Sequence, residues 1–291
     1  MRKALVTGAA GLLGQHISVR LAAEFSVTVV DIAPNPFEDK QVVSYINADL
    51  STPGRIKEIA AELKPDLIFN CAAYTDVDGC EKNRDLAKRL NVGLVEDLLS
   101  IPTGKIIQYS TDYVFDGHNG PYAEDDPTSP VGYYGLTKLI SEERLLASGV
   151  NALVIRSNVL FGTAVAVRPN FVTWLIDSLR AGKRLNIVTD QFNNPVHAGH
   201  LADASIEAAI MDLRGIWHIA GKDYLSRYDI AMIVARFFGL DQSLIRPITT
   251  AQLGQTALRP LRGGLKVDKA AAKLQKPIPG FEDGLKLMAA Y

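Results

Sequence analysis

Cysteine, histidine and net charge are all scarce in this chain, and each scarcity removes a class of function. Only Cys71 and Cys80 occur in 291 residues. Two thiols without metal-type spacing exclude a disulfide framework and a cysteine-built metal centre. Cys71 falls inside an apolar strand pattern, so both read as reduced thiols of a cytoplasmic protein. The five histidines show no ligand spacing. His197 and His200 have no third ligand beside them, and such a pair is more often structural, so no metal is expected. Lys and Arg (31) nearly balance Asp and Glu (32), for a net charge of −1. That balance excludes general affinity for nucleic acid or an anionic membrane surface. No apolar run is long enough to span a bilayer. The opening MRKALVTGAAG enters a strand and a glycine turn directly, unlike a signal peptide. Internal repeats, low-complexity tracts and obvious linkers are also missing.

What is present suits a globular chain with a large core plus a smaller lobe: 47% hydrophobic and 22% charged residues. Lys3 to Val6 form a short apolar strand. TGAAGLLG follows, with Gly8, Gly11 and Gly14, and then a helical pattern through Leu13, Ile17 and Leu21. Strand, glycine turn and helix in that order form the context of a dinucleotide fingerprint. Gly8 permits the tight turn, Gly11 lets the backbone approach a pyrophosphate, and Gly14 lets the helix pack on the sheet. The amides of Leu12, Leu13 and Gly14 open the helix towards the phosphates. The spacing is G-x-x-G-x-x-G, and a glycine triplet alone is also just a tight turn. SVTVVD, the second strand, ends in Asp31, whose carboxylate can accept ribose hydroxyls and would repel a 2′-phosphate. No Arg or Lys stands beside it, so the cofactor expected is NADH or NADPH with NADH preferred. The alternative is that Asp31 only starts a turn.

Alternation continues. VVSYINADL reads as a third strand that brings Asp49 and Leu50 to the adenine side. PGRIKEIAAELK reads as an amphipathic helix, and PDLIFNCAAY as a strand ending in the small residues Cys71, Ala72 and Ala73. EKNRDLAKRLNVGLVEDLLS reads as one long helix with Asn91 near its middle. GKIIQYST is a fifth strand carrying Tyr109 and Thr111. Strands and helices at this spacing predict a Rossmann-type doubly wound parallel α/β sheet. Its ligands lie beyond the carboxyl ends of the strands.

Tyr134 and Lys138 sit four apart in YGLTK, on one face of a predicted helix. An ammonium beside a phenol lowers the phenol's pKa towards neutrality. A phenol near its titration point exchanges protons with a carbonyl or an alcohol. Thr111 offers a hydroxyl to the same oxygen. Together the three imply a carbonyl–alcohol oxidoreductase, although a Tyr and a Lys one turn apart also make an ordinary exposed helix face. Beyond this helix NALVIRSNVLFG reads as a strand. The remainder reads as a smaller α/β lobe interwoven with the first, with the substrate in the cleft between. The division expected is 1–157 for the dinucleotide-binding part and 158–291 for the substrate-binding lobe, some of whose segments return to the first. Glu124, Asp125 and Asp126 read as a solvated run. Gln191 and Asn194 are polar loop groups, and Arg259 and Arg262 match a diphosphate or plain solvation.

TGAAGLLG, NCAAYTDVDGCE, STDYVFDG, PYAEDDPTSP, YGLTK and RSNVLFG occur in an order and spacing that resembles the extended short-chain dehydrogenases/reductases. Within them the chain resembles the dTDP-4-dehydrorhamnose reductase group over nearly its whole length. The resemblance implies that Tyr134 protonates the developing alkoxide. Lys138 would lower its pKa and hold the nicotinamide ribose, and Thr111 would bond the sugar carbonyl. It implies reduction of the 4-keto group of a dTDP-6-deoxy-hexose to dTDP-L-rhamnose. Thr111, Asp112, Tyr113, Asn158, Val159, Asn170 and Phe171 would face the sugar nucleotide, and a homodimer is plausible for the group. Related 4,6-dehydratases carry an acid where Tyr113 stands, and the epimerase-reductases of fucose synthesis a nearby Cys. Both absences favour simple reduction. The group's R-T-S-W strand is here Arg156, Ser157, Asn158, Val159. Val cannot stack as Trp does, so the pocket is built differently or the sugar differs. Two alternatives stay open: a reductase or epimerase of another nucleotide sugar, or a non-catalytic subunit like the regulatory subunit of methionine adenosyltransferase, which LIRPITT and LRPLR resemble.

Overall fold

The computed structural model describes residues 1–37, 44–101, 104–276 and 278–289. In chain order its first part runs β1 (Lys3–Thr7), α1 (Leu12–Leu21), β2 (Ser26–Asp31), β3 (Ser44–Asn47), α2 (Arg55–Leu63), β4 (Leu67–Asn70), α3 (Val77–Lys82), α4 (Arg84–Lys88), α5 (Leu94–Leu99), β5 (Lys105–Thr111), α6 (Tyr133–Ala147) and β6 (Ala152–Ser157). Then come β7 (Leu160–Phe161), α7 (Phe171–Arg180), β8 (Leu185–Val188), β9 (Phe192–Asn193), β10 (Val196–His197), α8 (Ala198–Ile210), β11 (Gly215–His218), β12 (Leu225–Ser226), α9 (Arg227–Phe237), β13 (Ile245–Ile248), α10 (Thr250–Leu253), α11 (Asp268–Lys273) and α12 (Phe281–Lys286).

Seven parallel strands pair in the order β11-β6-β5-β4-β1-β2-β3. This is the expected doubly wound sheet. β4 and β5 are buried along their whole length, as strands covered on both faces must be. One covering layer packs Ile17 and Leu21 of α1 with Leu201 and Ala208 of α8. The other packs Ile56 of α2, Leu94 of α5 and Leu145 of α6. Strand order reverses between β1 and β4, which opens a crevice at their carboxyl ends. Across that edge Thr7 Oγ1 donates to Asn70 Oδ1 (2.6 Å) and Asn70 Nδ2 to Gln108 Oε1 (2.7 Å). Such buried polar atoms need partners, and here they stitch β1, β4 and β5 together beneath the site.

A third apolar cluster joins α7, α9 and α12 with β8 and β13. α8 and β11, although late in the chain, belong to the central layers. Several expectations change. Val42 and Val43, placed in the third strand, lie outside the described residues, and β3 covers Ser44–Asn47. The long helix over 81–100 is broken at Asn83, whose side chain caps α4 by accepting from Leu86 N (3.2 Å). A π-turn at Arg89–Gly93 then precedes α5. Asn91 occupies that turn and bonds Tyr74 N (2.8 Å), Tyr74 O (3.1 Å) and Thr137 Oγ1 (2.9 Å). A widened turn at a functional edge is the usual setting of such a bulge. The strand over 151–162 also splits: β6 ends at Ser157, and β7 pairs with β10 instead. α10 and α12 were not expected from the sequence.

α6 rests directly on the turn that follows β5. A Cβ added at Gly135 would fall 2.1 Å from Tyr113 O. Only glycine permits that approach. Gly135→Ala should therefore destabilise the fold by about 1–3 kcal/mol through overpacking. Leu136→Ala, on the exposed side of the same helix, should change stability by under about 0.5 kcal/mol. Denaturant melts of both variants check this pair.

Candidate active site

The glycine turn has the shape the dinucleotide reading requires. Gly8 has φ +62°, and a Cβ there would sit 2.6 Å from Ala72 N; one on Gly14 would sit 2.3 Å from Gly8 O. At Gly11 only Gly8 O lies within reach, at 3.2 Å, so its outer side is open. α1 begins after it with no side-chain cap and no acid in its first turn. First-turn amides without caps form an anion site, which fits a dinucleotide diphosphate over Gly11 to Gly14. Asp31 Oδ2 accepts Ala10 N (2.9 Å) and Oδ1 accepts Ala33 N (2.9 Å). Asp31 thus both starts a turn and tethers the glycine loop, and each oxygen keeps a lone pair for a further donor. Asp49 is exposed, with Ser51 N on its carboxylate (2.8 Å). Leu50 and Tyr109, expected at the cofactor, are buried among core side chains. Tyr109 lies on a strand covered on both faces, and Leu50, past the end of β3, packs into the layer of α2.

At the carboxyl end of β5, Thr111 is buried and its hydroxyl oxygen accepts Tyr113 N (3.2 Å). The rings of Tyr113 and Tyr134 meet edge to face at 5.8 Å. Lys138, one turn along α6, is 3% exposed. Burial lowers its pKa to about 8, opposed by Glu142, Cys71 and Cys80. Cys71 interacts with Lys138 and its backbone lies against Gly8, so the glycine turn and the Tyr–Lys helix share one wall. The expected fall in the phenol's pKa is not found in the ligand-free chain. Burial raises it, with Tyr113, Asp112 and Cys80 adding to the rise. The reason is that the half-buried Tyr134 packs among groups that gain negative charge.

Beside Tyr113 opens a cavity of about 580 Å³, whose walls include Tyr113, Phe171, Trp174, Gln191, Arg227 and Arg259. The Arg227 guanidinium lies 4.7 Å over the Phe171 ring, which stacks on Trp174 at 5.9 Å. Arg259 forks onto Asp78 (3.0 and 2.9 Å), and burial lowers the pKa of Arg227. An aromatic platform with two guanidinium groups suits a planar base and a diphosphate. Arg227 and Trp174 were missed in the sequence. The only trace of Arg227's placement is the capping box of Ser226 and Asp229, which fixes it as the first residue of α9.

Other candidates are taken by structure. Asn170 caps α7, accepting Val172 N and Thr173 N, and donates to Gly162 O (2.7 Å). Asn194 Oδ1 accepts Leu265 N (2.7 Å). Asp112, expected at the sugar, has no exposed surface. Asn158 donates to it (3.4 Å), while Val159 O accepts Val196 N. Glu124, expected in a solvated run, is half-buried and accepts His218 N (3.0 Å). Gln15 exchanges two hydrogen bonds with Val165 (2.8 and 3.1 Å), drawing the loop after β7 over the start of α1. Among the described residues no group of three or more His, Cys, Asp or Glu is placed to hold a metal ion. No helix among them is long and apolar enough to cross a membrane.

Comparison with known proteins agrees with this geometry. The RmlD substrate binding domain family matches residues 1–291. The chain is 33% identical to the probable low-salt glycan biosynthesis reductase Agl14 of Haloferax volcanii, covering 99% of this chain and 97% of that one. It is 33% identical to methionine adenosyltransferase 2 subunit beta of Xenopus laevis (88% and 78%) and 32% identical to dTDP-4-dehydrorhamnose reductase of Mycobacterium tuberculosis (88% and 82%). Its fold matches that of dTDP-4-dehydrorhamnose reductase of Bacillus anthracis, solved with NADP, at a TM-score of 0.87, 24% identity and 98% coverage of both chains.

Lys138 gives this site a stability signature. Its folded pKa lies below the ordinary lysine value, so near pH 7 the unfolded chain binds its proton more readily and the buried ammonium destabilises the fold. Glu142, one turn on, is already matched by Arg156 (2.7 Å). Lys138→Met should therefore stabilise the ligand-free protein by on the order of 1–3 kcal/mol at pH 7. The gain should shrink as pH rises from about 8 towards the unfolded-state value. Thermal melts across that window check it.

Proposed function

The chain belongs to the RmlD substrate binding domain family, and from that premise we propose that it is an NAD(P)H-dependent reductase of a nucleotide-linked 4-keto sugar. The leading substrate is a dTDP-6-deoxy-4-keto-hexose, reduced to dTDP-L-rhamnose. The observation that carries this reading is the shared wall of the glycine turn and the Tyr134–Lys138 helix, with the arginine–aromatic cavity on the other side of Tyr113.

The amides of Gly11, Leu12, Leu13 and Gly14 hold the dinucleotide diphosphate, with Cys71, Ala72 and Ala73 as a low floor. Asp31 takes the adenosine ribose and Lys138 the nicotinamide ribose. A bound reduced nicotinamide supplies hydride to the sugar carbon. Tyr134 gives its proton to the oxygen as negative charge develops there. A phenol whose pKa burial has raised stays protonated at neutral pH, as an acid in this direction must. Lys138 places a positive charge near the phenolate that results, which limits the cost of leaving it buried. Phe171 and Trp174 receive the base, and Arg227 and Arg259 the sugar-nucleotide diphosphate. The chain lacks an acid at Tyr113, which supports reduction without dehydration. Two free thiols suit a cytoplasmic setting.

Val159, which stands where the group has Trp, favours a different nucleotide sugar, and a second reading rests on the likeness to a methionine adenosyltransferase subunit. In it the same fold keeps the cofactor site and acts by holding a partner.

Turnover decides between them. Oxidation of NADH, followed by absorbance with freshly generated dTDP-4-keto-6-deoxy-hexose, should proceed in the wild type. It should fall by about 10²–10⁴-fold in Tyr134→Phe, with NADH affinity unchanged. Absent wild-type turnover, together with capture of a methionine adenosyltransferase, would favour the second reading. Asp31→Ala should lower the NADH-to-NADPH efficiency ratio by about tenfold, since a ribose acceptor and a repulsive charge leave together. An unchanged ratio would remove Asp31 from cofactor choice.

A further inference from the structure

The loop after β7 is latched onto the start of α1, and the reduction just described gives that latch no part. Asn170 Nδ2 donates to Gly162 O (2.7 Å), which closes the base of the 162–170 loop. Its middle is held from α1. Gln15 Nε2 donates to Val165 O (2.8 Å), and Gln15 Oε1 accepts Val165 N (3.1 Å). The carboxamide pairs with both backbone groups of one residue, as a neighbouring strand would. Its second amide proton goes to Ala10 O (2.8 Å) in the glycine turn. A flipped carboxamide would set its NH2 against the Val165 N–H, so the partners fix its orientation. Gln15 is 3% exposed, whereas Val165 is 50% exposed. At Val165 the loop is therefore held by its backbone and not by its side chain.

The next residue of α1 acts alongside. Arg20 Nη1 meets His16 Nδ1 at 3.1 Å. A guanidinium can only donate, so Nδ1 accepts and the ring proton sits on Nε2. Nε2 then donates to Thr163 O (3.1 Å). Beyond Val165, Ala166 holds φ +53°. That conformation is unfavourable for a residue with a Cβ and persists where the surroundings impose it. Ala10 is the meeting point of the arrangement. Its N–H goes to Asp31 Oδ2 (2.9 Å) and its carbonyl to Gln15. One peptide thus joins the proposed ribose acceptor, the glycine turn and the loop, which stands at the edge of the turn that receives the diphosphate.

We infer that Gln15 is a positioning residue that latches the 162–166 strap against the glycine turn, so that the strap retains the dinucleotide and must unlatch before the cofactor leaves. The inference rests on the dinucleotide half of the reductase reading and not on the sugar. Latching and binding are then linked. A cofactor held more tightly by the latched strap must itself favour the latched state, by the same factor. Segments that open locally are those with little buried apolar contact, and the strap meets that condition at Val165.

Hydrogen exchange of the unaltered protein tests that linkage with neither a variant nor turnover. Saturating NADH, or NADPH if that binds more tightly, should slow exchange of the Val165 amide by about fivefold or more. Unchanged or faster exchange overturns the inference. Stopped-flow fluorescence of the bound reduced cofactor tests the latch itself. Gln15→Met keeps the side-chain length and removes its three hydrogen bonds. It should raise the release rate about tenfold, with association within about twofold. Val165→Pro strips the strap's donor alone and leaves Gln15 on Ala10. Val165 and Ala166 form a turn, and Pro is accepted there ahead of a positive-φ residue. This variant should raise release about threefold, the effect of one hydrogen bond. The two together should raise it by less than the product of their effects. Unchanged release in Val165→Pro leaves Gln15 shaping the turn and nothing more, and overturns the inference. So does a Gln15→Met effect confined to association. A wild type that binds the cofactor but leaves the keto-sugar unreduced sinks the reductase reading alone, and the release rates still decide the present one. A wild type that binds neither NADH nor NADPH sinks both.

Discussion

The bare backbone of Gly135 against the Tyr113 carbonyl is the constraint on which the rest of the site depends. α6 carries Tyr134 and Lys138, while β5 and the turn after it carry Thr111, Asp112 and Tyr113. These two elements follow one another in the chain, and their close approach requires a helical position with no Cβ. The edge contact of Tyr113 with Tyr134 and the burial of Lys138 follow from that seat. Packed interiors transmit small displacements, so a shift of α6 by one methyl would reach every group at once. Hydrogen bonds tighten the seat from outside. Tyr133 N donates to Glu81 (2.7 Å), and Asn91 reaches Thr137 through the π-turn.

Burial does opposite things to the two titrating groups on α6. It holds the phenol protonated and loosens the proton on the ammonium. Both shifts arise because burial penalises charge, and neither reflects a direct phenol–ammonium bond. Further along the helix the fully buried Glu142 and Arg156 are matched in a fork. A pair so deep contributes little net stability, but breaking it would strand a charge. It ties α6 to β6, so the helix is anchored on both sides of Lys138.

The parts written in local patterns were legible in the sequence. Strand–glycine–helix order, period-two apolar strands and amphipathic helices gave the sheet and the positions of Gly8, Gly11, Gly14, Thr111, Tyr134 and Lys138. What failed had a non-local cause. Asn170 looks like a pocket residue until its cap is seen, and Asn194 until Leu265 arrives from across the chain. Leu50 and Tyr109 were placed at the cofactor by their nearness to strand ends, while the layers packed over the sheet bury both side chains. Asn91 widened a helix that its periodicity drew as continuous. Trp174 carries no local signal and Arg227 only the capping box around it, because the cavity that joins them is assembled from segments on either side of β8.

The late segment around LRPLRGG shows why the second half could not be read element by element. It forms no helix or named strand, yet its backbone is paired on both flanks. Arg262 N donates to Gly117 O (2.8 Å), Tyr122 N to Gly264 O (3.1 Å) and Phe192 N to Leu261 O (2.7 Å). Arg259 pins its outer end to Asp78, and Asp112 holds Gly264 at its inner end. An irregular backbone can lie this deep only where its polar groups are satisfied. Here the partners are the loops around Gly117, Tyr122 and Phe192. The same contacts that order the segment therefore bring Arg259 from the end of the chain to the cavity beside Tyr113. In this arrangement the wall of that cavity and the packing over Asp112 are not separable features, because one segment supplies both.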